Sequence, residues 1–323
     1  MAFANARRSL FTGVRTRLIA LACPLCRGAL ETTEETAHCR ACRHTFRKQN
    51  GVWQLLRPER IAPVESFLTD YTKIRLAEGR GSADAAFYRN LPDCPDDHPM
   101  AWQWSIRRRT FSCFRNRVLP SMGARLRILD LGAGTGWLSN RLAQLGHEPC
   151  AVDLSCNDQD GLEAARHFGS AWPCVRAEFD RLPFLDASVD AVVFNASLHY
   201  SADYLTTLRE ALRVLAPAGF LVVLETPVYK LEASGRRMVE ERHAVFHKRY
   251  GTRSDSMPSI EFLTWPRVAE IGRQLHLQWK VVRPWYGIQW ALRPWIARVK
   301  MKREPSQFPI LIARRHRRDA ISG

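Results

Sequence analysis

One short stretch, residues 129–143, constrains the fold more than any other part of this 323-residue chain. An apolar segment over 127–131 is followed by Gly132, Gly134 and Gly136, and then by apolar residues at helical spacing. This order predicts a buried strand, a glycine-rich turn and a helix, because glycine adopts backbone angles closed to other residues and lets a ligand approach closely. Free N–H groups at the start of the helix would face that ligand. The sequence therefore predicts an α/β fold with a binding site at the turn.

The spacing within the turn indicates which ligand it would hold. The glycines follow GxGxG, whereas the dinucleotide fingerprint is GxGxxG, and Asp130 lies two residues before the first glycine. A carboxylate there disfavours a diphosphate and favours an ammonium group. The stretch resembles motif I of the class I S-adenosylmethionine (AdoMet) methyltransferases, in which the turn holds the methionine part of the cofactor. The alternative is a tight turn in an ordinary α/β sheet.

Later segments continue the same resemblance. A second predicted strand ends in Asp153, 19 residues after Gly134, where a carboxylate can accept both ribose hydroxyls. Glu178 follows a third strand and precedes DRLPF, and the resemblance places it at the adenine amino group. A fourth strand over 189–196 leads into NASLHY, and the run REALRVLAPAGFLVVLE resembles the type 11 methyltransferases. The resemblance implies a Rossmann-like seven-stranded sheet. The predicted AdoMet contacts are Asp130, Gly132, Gly134, Gly136, Asp153, Glu178 and Asn195.

Two CxxC pairs near the N-terminus predict a metal site. Cys23 and Cys26 form the first pair, and Cys39 and Cys42 form the second, with twelve residues between the pairs. Two such pairs complete a tetrahedral four-cysteine site for structural Zn²⁺, with His44 as an alternative ligand to Cys42. The segment resembles the zinc ribbon at the front of some bacterial rRNA guanine methyltransferases, and also the ribbon protein that partners eukaryotic tRNA and rRNA methyltransferases.

These motifs divide the chain into consecutive segments. We expect a basic tail (1–20), a zinc ribbon (21–57), a helical bridge (58–120), an AdoMet domain (121–315) with insertions at 229–258 and 285–304, and a second basic tail (316–323). The bridge would cover the cofactor, although a purely structural helix pair is the alternative. Its candidate lid residues are Tyr71, Arg75, Tyr88, His98, Trp102 and Trp104.

The residues after the fourth strand bear on the methyl acceptor. His199 is the candidate general base, because histidine titrates near neutral pH and this edge of an α/β sheet binds ligands. A structural histidine is the alternative, and Tyr200 and Tyr229 share that ambiguity. No NPPY or DPPY motif follows the strand, and NASLHY looks like the motif of small-molecule O-, N- and C-methyltransferases.

Charge is spread unevenly along the chain. The net charge is +16, and residues 229–323 carry 20 basic and 8 acidic side chains. The segment 285–301 interleaves tryptophans with basic residues, which fits RNA binding, a helix on an anionic membrane, or a surface helix that buries its tryptophans. No apolar run approaches the ~20 residues of a transmembrane helix. Nine cysteines suit a reducing compartment, so we expect a cytoplasmic protein.

Three functions remain open from the sequence. The first is methylation of a small or lipid-like molecule, which NASLHY favours. The second is methylation of an rRNA or tRNA base, which the ribbon and the basic segments favour. The third is a non-catalytic AdoMet-binding scaffold, which the intact glycines and acidic residues of the motifs disfavour.

Overall fold

The computed structural model describes residues 19–169 and 172–314, and its centre is one large mixed sheet. The predicted basic tails therefore lie outside the described residues, except for positions 19 and 20. The strands are β1 Leu30–Thr32, β2 Thr36–Cys39, β3 Thr45–Gln49, β4 Val52–Gln54, β5 Arg127–Leu131, β6 Glu148–Asp153, β7 Cys174–Arg176, β8 Val189–Asn195, β9 Leu215–Leu224, β10 Val228–Tyr229, β11 Leu263–Thr264, β12 Lys280–Val282 and β13 Ile310–Arg314. The helices are α1 Pro58–Ala77, α2 Ala85–Asn90, α3 Ala101–Arg117, α4 Trp137–Gln144, α5 Tyr204–Val214, α6 Glu232–Tyr250, α7 Trp265–Gln274 and α8 Ile288–Val299.

The sheet has eleven strands, so the prediction of seven was wrong for the sheet as a whole. The strand order is β1-β2-β3-β4-β7-β6-β5-β8-β9-β13-β12. The seven strands from β7 to β12 are those of the predicted AdoMet domain, and β13 is antiparallel to both β9 and β12. The other four belong to the cysteine segment, whose β4 pairs in parallel with β7. This pairing covers an edge strand that would otherwise leave its N–H and C=O groups unpaired.

The central strands are buried on both faces, as a parallel sheet between helices requires. In β8, Val192 and Phe194 pack into one apolar cluster, and Val193 packs into the cluster on the other face. This period of two fixes the register of the strand. Because β5, β6, β8 and β9 pair in parallel, their carboxyl ends meet at one edge of the sheet.

The sequence also predicts helices over 161–168 and 260–275, and the structure differs from both predictions. The segment 161–168 forms a short 3-10 helix, Leu162–His167, instead of an α-helix. The helix predicted from Ile260 begins only at Trp265, because the hydroxyl of Thr264 caps the N–H of Arg267 and a proline follows at the helix start. Within the described residues, no helix is both long and apolar enough to cross a bilayer.

Candidate active site

A cavity of about 880 Å³ lies at the carboxyl ends of the central strands. Its volume is near the upper end of the ~300–1,000 Å³ typical of small-molecule sites. The glycine turn after β5 forms its floor, and side chains from α1, α3, α6 and α8 line its walls. The sequence-predicted residues Gly132, Gly134, Asp153, Glu178, Asn195 and His199 all line it.

The glycine turn has the backbone that its sequence predicts. Gly132, Gly134 and Gly136 have φ angles of 74°, 54° and 79°, in the left-handed region that favours glycine. A Cβ on Gly132 would lie 2.3 Å from the Cβ of Ser197, so the turn packs tightly there. A Cβ on Gly134 would meet only the carbonyl oxygen of Asp160, at 3.7 Å. Gly134 is therefore the glycine whose missing side chain leaves room in the cavity.

Asp153 holds the turn from the end of β6. One carboxylate oxygen accepts the N–H of Gly134 at 2.8 Å, and the other accepts the N–H of Ser155 at 2.9 Å. Burial raises the pKa of Asp153, while these two N–H groups act in the opposite direction. The carboxylate thus shapes the turn and also borders the cavity.

Asp130 lies behind the turn and is not among the residues that line the cavity. Its side chain is fully buried and accepts a hydrogen bond from the hydroxyl of Ser139 on α4, at 2.9 Å. Its other oxygen has no hydrogen-bond partner among the described residues. Burial raises the pKa of Asp130 to about 7. Gly136 is also not among the lining residues; it directly precedes α4, and a Cβ added there would lie 3.2 Å from the ring of Trp172.

Glu178 is held by two arginines that sequence reasoning missed. The Arg60 Nε donates to Glu178 at 2.8 Å, and the Arg57 Nη2 donates at 3.4 Å. Both arginines lie at the start of α1, about 120 positions before the glutamate. The Glu178 side chain is buried and borders the cavity. No local spacing could have revealed this cluster, because it depends on how α1 packs over the sheet.

His199 lies in the cavity wall as a neutral imidazole. Burial, together with the positive charges of Arg242 and Arg107, lowers the pKa of His199 to about 3. A general base works best with a pKa near the operating pH. The low pKa therefore argues against His199 as a general base, although a neutral imidazole can still donate or accept a hydrogen bond. Its Nδ1 has no hydrogen-bond partner within the described part of the chain.

Glu225 is a stronger candidate for proton transfer than His199. It follows β9 directly, lines the cavity, and lies 3.6 Å from the Nε of Arg107 on α3. Burial raises the pKa of Glu225 to about 7, although the nearby Arg107 opposes that shift. A carboxylate with such a pKa accepts protons near neutral pH. The sequence signal was its position as the last residue of the run REALRVLAPAGFLVVLE.

The helical bridge supplies only some of the predicted lid residues. Tyr71, Arg75, Trp102 and Trp104 line the cavity, and Arg75 forms an ion pair with Asp160. Two others have structural contacts elsewhere. The Tyr88 hydroxyl donates to the carbonyl oxygen of Gln159 at 2.7 Å. The ring of His98 stacks on that of Phe87, with the ring centroids 4.9 Å apart.

The four cysteines of the N-terminal segment converge on one point. Their sulfur atoms lie within 4.8 Å of one another, with Cys23 to Cys42 at 3.6 Å and Cys26 to Cys39 at 3.4 Å. A tetrahedron of four sulfurs around zinc, with ~2.3 Å bonds, has edges of roughly 3.8 Å, so the spacing fits zinc. The ring of His44 packs against Phe46 instead of joining the cluster.

The two CxxC turns have the same backbone, which strengthens the case for a metal site. Arg27 and Arg43 each follow a CxxC pair, and their φ angles are 65° and 60°. Each donates its N–H to the carbonyl of the first cysteine of its pair, at 2.8 Å in both turns. Two equivalent turns that face each other form the usual frame of a closed, structural metal centre.

Comparison with known proteins identifies part of the chain. Residues 129–223 match the family model described as a methyltransferase domain. The chain is 38% identical over 97 residues to a malonyl-[acyl-carrier protein] O-methyltransferase from Erwinia pyrifoliae, covering 30% of this chain and 36% of that protein. It is 38% identical over 130 residues to a demethylmenaquinone methyltransferase from Mycobacterium marinum, covering 40% of this chain and 52% of that protein.

A solved structure from Burkholderia thailandensis, 1,6-didemethyltoxoflavin-N1-methyltransferase with bound 1,6-didemethyltoxoflavin and S-adenosylhomocysteine, also resembles the chain. It has 18% identity, covers 87% of this chain and 99% of its own, and gives a TM-score of 0.47. The chain spans about a third to a half of the length of the two curated relatives above. The family match shows that residues 129–223 contain a methyltransferase domain.

Proposed function

We propose that this protein transfers a methyl group from AdoMet to a small or lipid-like acceptor. The observation that carries the proposal is the match of residues 129–223 to the methyltransferase domain, whose strand ends border the cavity. The two curated relatives described above are named for malonyl-[acyl-carrier protein] and for demethylmenaquinone, and both names favour an acceptor of this class.

The residues at the floor of the cavity fit AdoMet. Gly134 leaves open space above the turn, and Asp153 is fixed there by two backbone N–H groups. The buried hydroxyl of Thr135 has no hydrogen-bond partner within the described ranges. In this proposal, the turn binds the methionine part of AdoMet. Asp153 accepts hydrogen bonds from the ribose hydroxyls, and Glu178 accepts one from the adenine amino group. Asn195 borders the same space.

The upper part of the cavity would hold the acceptor. When bound, AdoMet supplies an activated methyl group, and proximity and alignment can provide ~7–11 kcal/mol of the barrier reduction. Tyr71, Tyr200 and Tyr229 supply aromatic walls, and these walls suit a flat or lipid-like molecule. Glu225 would remove a proton from an acceptor hydroxyl, and His199 would orient that hydroxyl through a hydrogen bond.

We propose structural Zn²⁺ as a second ligand. The four thiols of the ribbon fit a closed tetrahedral site, and such a site has no open position for catalysis. The ribbon also contacts the domain directly, because Arg181 donates to the carbonyls of Pro24 and Leu25 at 2.7 and 2.8 Å. Metal binding would therefore stabilise a ribbon that extends the central sheet. Thiolate ligands suit the reducing cytoplasm that we propose as the compartment.

RNA methylation is the alternative function, and the +16 net charge favours it. A filter-binding titration distinguishes the two. An RNA substrate would bind at sub-micromolar affinity, and log K would fall with log salt at a slope of roughly −0.7 per phosphate. A small acceptor predicts no tight RNA binding.

Calorimetry with AdoMet tests the proposed cofactor directly. We expect one binding site that S-adenosylhomocysteine also fills, because both share the adenosine and amino-acid groups that the turn would contact. Binding of NAD in place of AdoMet would contradict the proposal.

A further inference from the structure

Helix α8 has one face against the protein and one face in solvent. On the inner face, the ring of Trp290 packs against Tyr286 and Phe308, with ring centroids 4.8 and 5.6 Å apart. Arg293 lies on the same side, where it lines the cavity. The helix therefore separates the cavity from the exterior.

The outer face of α8 is apolar and exposed. Five large side chains on it have between 39% and 70% of their surface in solvent: Ile288, Leu292, Trp295, Ile296 and Val299. At ~100° per residue, these positions fall within an arc about 100° wide. Trp285 and Met301 extend the patch beyond the two ends of the helix, at 68% and 90% exposure. Such a continuous apolar patch usually marks an interaction surface.

The charges around the patch indicate its partner. Arg298, Lys300 and Lys302 lie at the carboxyl end of α8, and they have no ion pair among the described residues. Residues 283–302 include no acidic side chain, so a second copy of this face would leave these cations without a counter-charge. An anionic lipid surface would instead neutralise them while it buries the tryptophan and the aliphatic side chains.

We propose that α8 docks this protein on an anionic lipid bilayer, with the helix lying in the plane of the interface. The docking itself does not depend on the proposed methyl transfer. Trp102 lies beside α8 at the cavity, because it lines the cavity, is 64% exposed, and has its ring centroid 6.2 Å from that of Trp290 on the inner face of the helix. A lipid-like acceptor would thus enter from the docked side, and this part of the proposal does rest on the proposed function.

Vesicle sedimentation tests the docking. The probes are vesicles of phosphatidylcholine alone and of phosphatidylcholine mixed with phosphatidylglycerol. We expect the protein to sediment with the mixed vesicles and to remain free with the neutral ones. Trp295→Asp should reduce this binding at least tenfold, because it removes a large exposed ring from the apolar face and places a charge there. The triple variant Arg298→Ser, Lys300→Ser, Lys302→Ser should remove the preference for the anionic lipid.

Leu145→Asp is the matched control for Trp295→Asp. Leu145 is also an exposed apolar residue, at the end of α4, and the substitution makes the same charge change. It should bind vesicles like the parent. An equal loss in both variants, or no binding of the parent to anionic vesicles, would overturn the proposal. A dimer that Trp295→Asp dissociates, in a parent that ignores vesicles, would assign the patch to a second copy instead.

AdoMet calorimetry on the same variants separates this inference from the proposed function. Docking variants that keep AdoMet binding but lose vesicle binding support the surface assignment. A parent that binds vesicles but not AdoMet would contradict only the proposed function.

Discussion

Replacing Gly134 by alanine separates the folding role of the glycine turn from its proposed ligand-binding role. Gly134 has a φ of 54°, and an added Cβ would meet only the carbonyl of Asp160 at 3.7 Å. The substitution therefore costs the left-handed backbone penalty of about 1–2 kcal/mol and adds no clash. Since the new methyl group would border the cavity, we expect AdoMet affinity to fall at least tenfold, or about 1.4 kcal/mol.

Two further alanine variants make the comparison quantitative. Gly146 has a φ of 85°, and its Cβ would meet nothing within 4 Å, so Gly146→Ala carries the same type of backbone penalty. Gly146 follows α4 and does not line the cavity, so this variant should bind AdoMet like the parent. At Gly132, an added Cβ would lie 2.3 Å from that of Ser197. We expect Gly132→Ala to lower the free energy of unfolding by roughly 2–5 kcal/mol, because overpacking adds to the backbone penalty.

Urea unfolding gives the stabilities of these variants, and calorimetry gives their AdoMet affinities. The expected pattern is similar stability for the variants at 134 and 146, with weaker AdoMet binding only at 134. Equal AdoMet affinity at 134, at 146 and in the parent would refute the placement of the cofactor on the turn.

The remaining predictions concern three other residues. Asp153→Ala should weaken AdoMet binding more than tenfold, because it removes a charged acceptor whose hydrogen bonds to the ribose are worth ~1.5–3 kcal/mol each. Unchanged affinity in calorimetry would contradict the ribose assignment. The purified parent should contain one equivalent of zinc and Cys26→Ser should release it, whereas metal-free parent in elemental analysis would exclude the site. With the pKa of Glu225 at about 7, kcat/KM should rise as pH increases through neutrality, because the carboxylate is the basic form. Glu225→Gln should be slower and lack this inflection, and a parent profile without it would argue against Glu225.

Local patterns predicted site residues that the structure brings together at the cavity. Glycine spacing predicted Gly132 and Gly134, and the ends of predicted strands gave Asp153 and Glu178. Both signals depend on only a few neighbouring residues. The structure brings all four to one edge of the sheet. The assignment of individual contacts to AdoMet stays a prediction.

Long-range packing explains what the sequence could not provide. Glu178 meets Arg60 across 118 positions, and Glu225 faces Arg107 from another element. Spacing along the chain encodes neither pair. For the same reason, the addition of the ribbon to the edge of the sheet was not foreseen, since β4 and β7 are far apart in sequence.

The tryptophan-rich segment 285–301 shows what helical spacing alone leaves open. The sequence left RNA, membrane and internal packing open for residues 285–301. In the structure, Trp290 packs inward, while Trp285 and Trp295 are exposed. Helical spacing identifies which residues share a face, but it does not decide which face the protein covers.

Methyl transfer itself gives the most direct test of the central claim. Purified protein is incubated with AdoMet labelled with tritium on its methyl group, together with separate RNA, lipid and small-molecule fractions of a lysate. We expect label in the lipid or small-molecule fraction, and much less label with Gly134→Ala than with Gly146→Ala. Label confined to RNA, or no label in any fraction from a protein that binds AdoMet, would contradict transfer to a small or lipid-like acceptor.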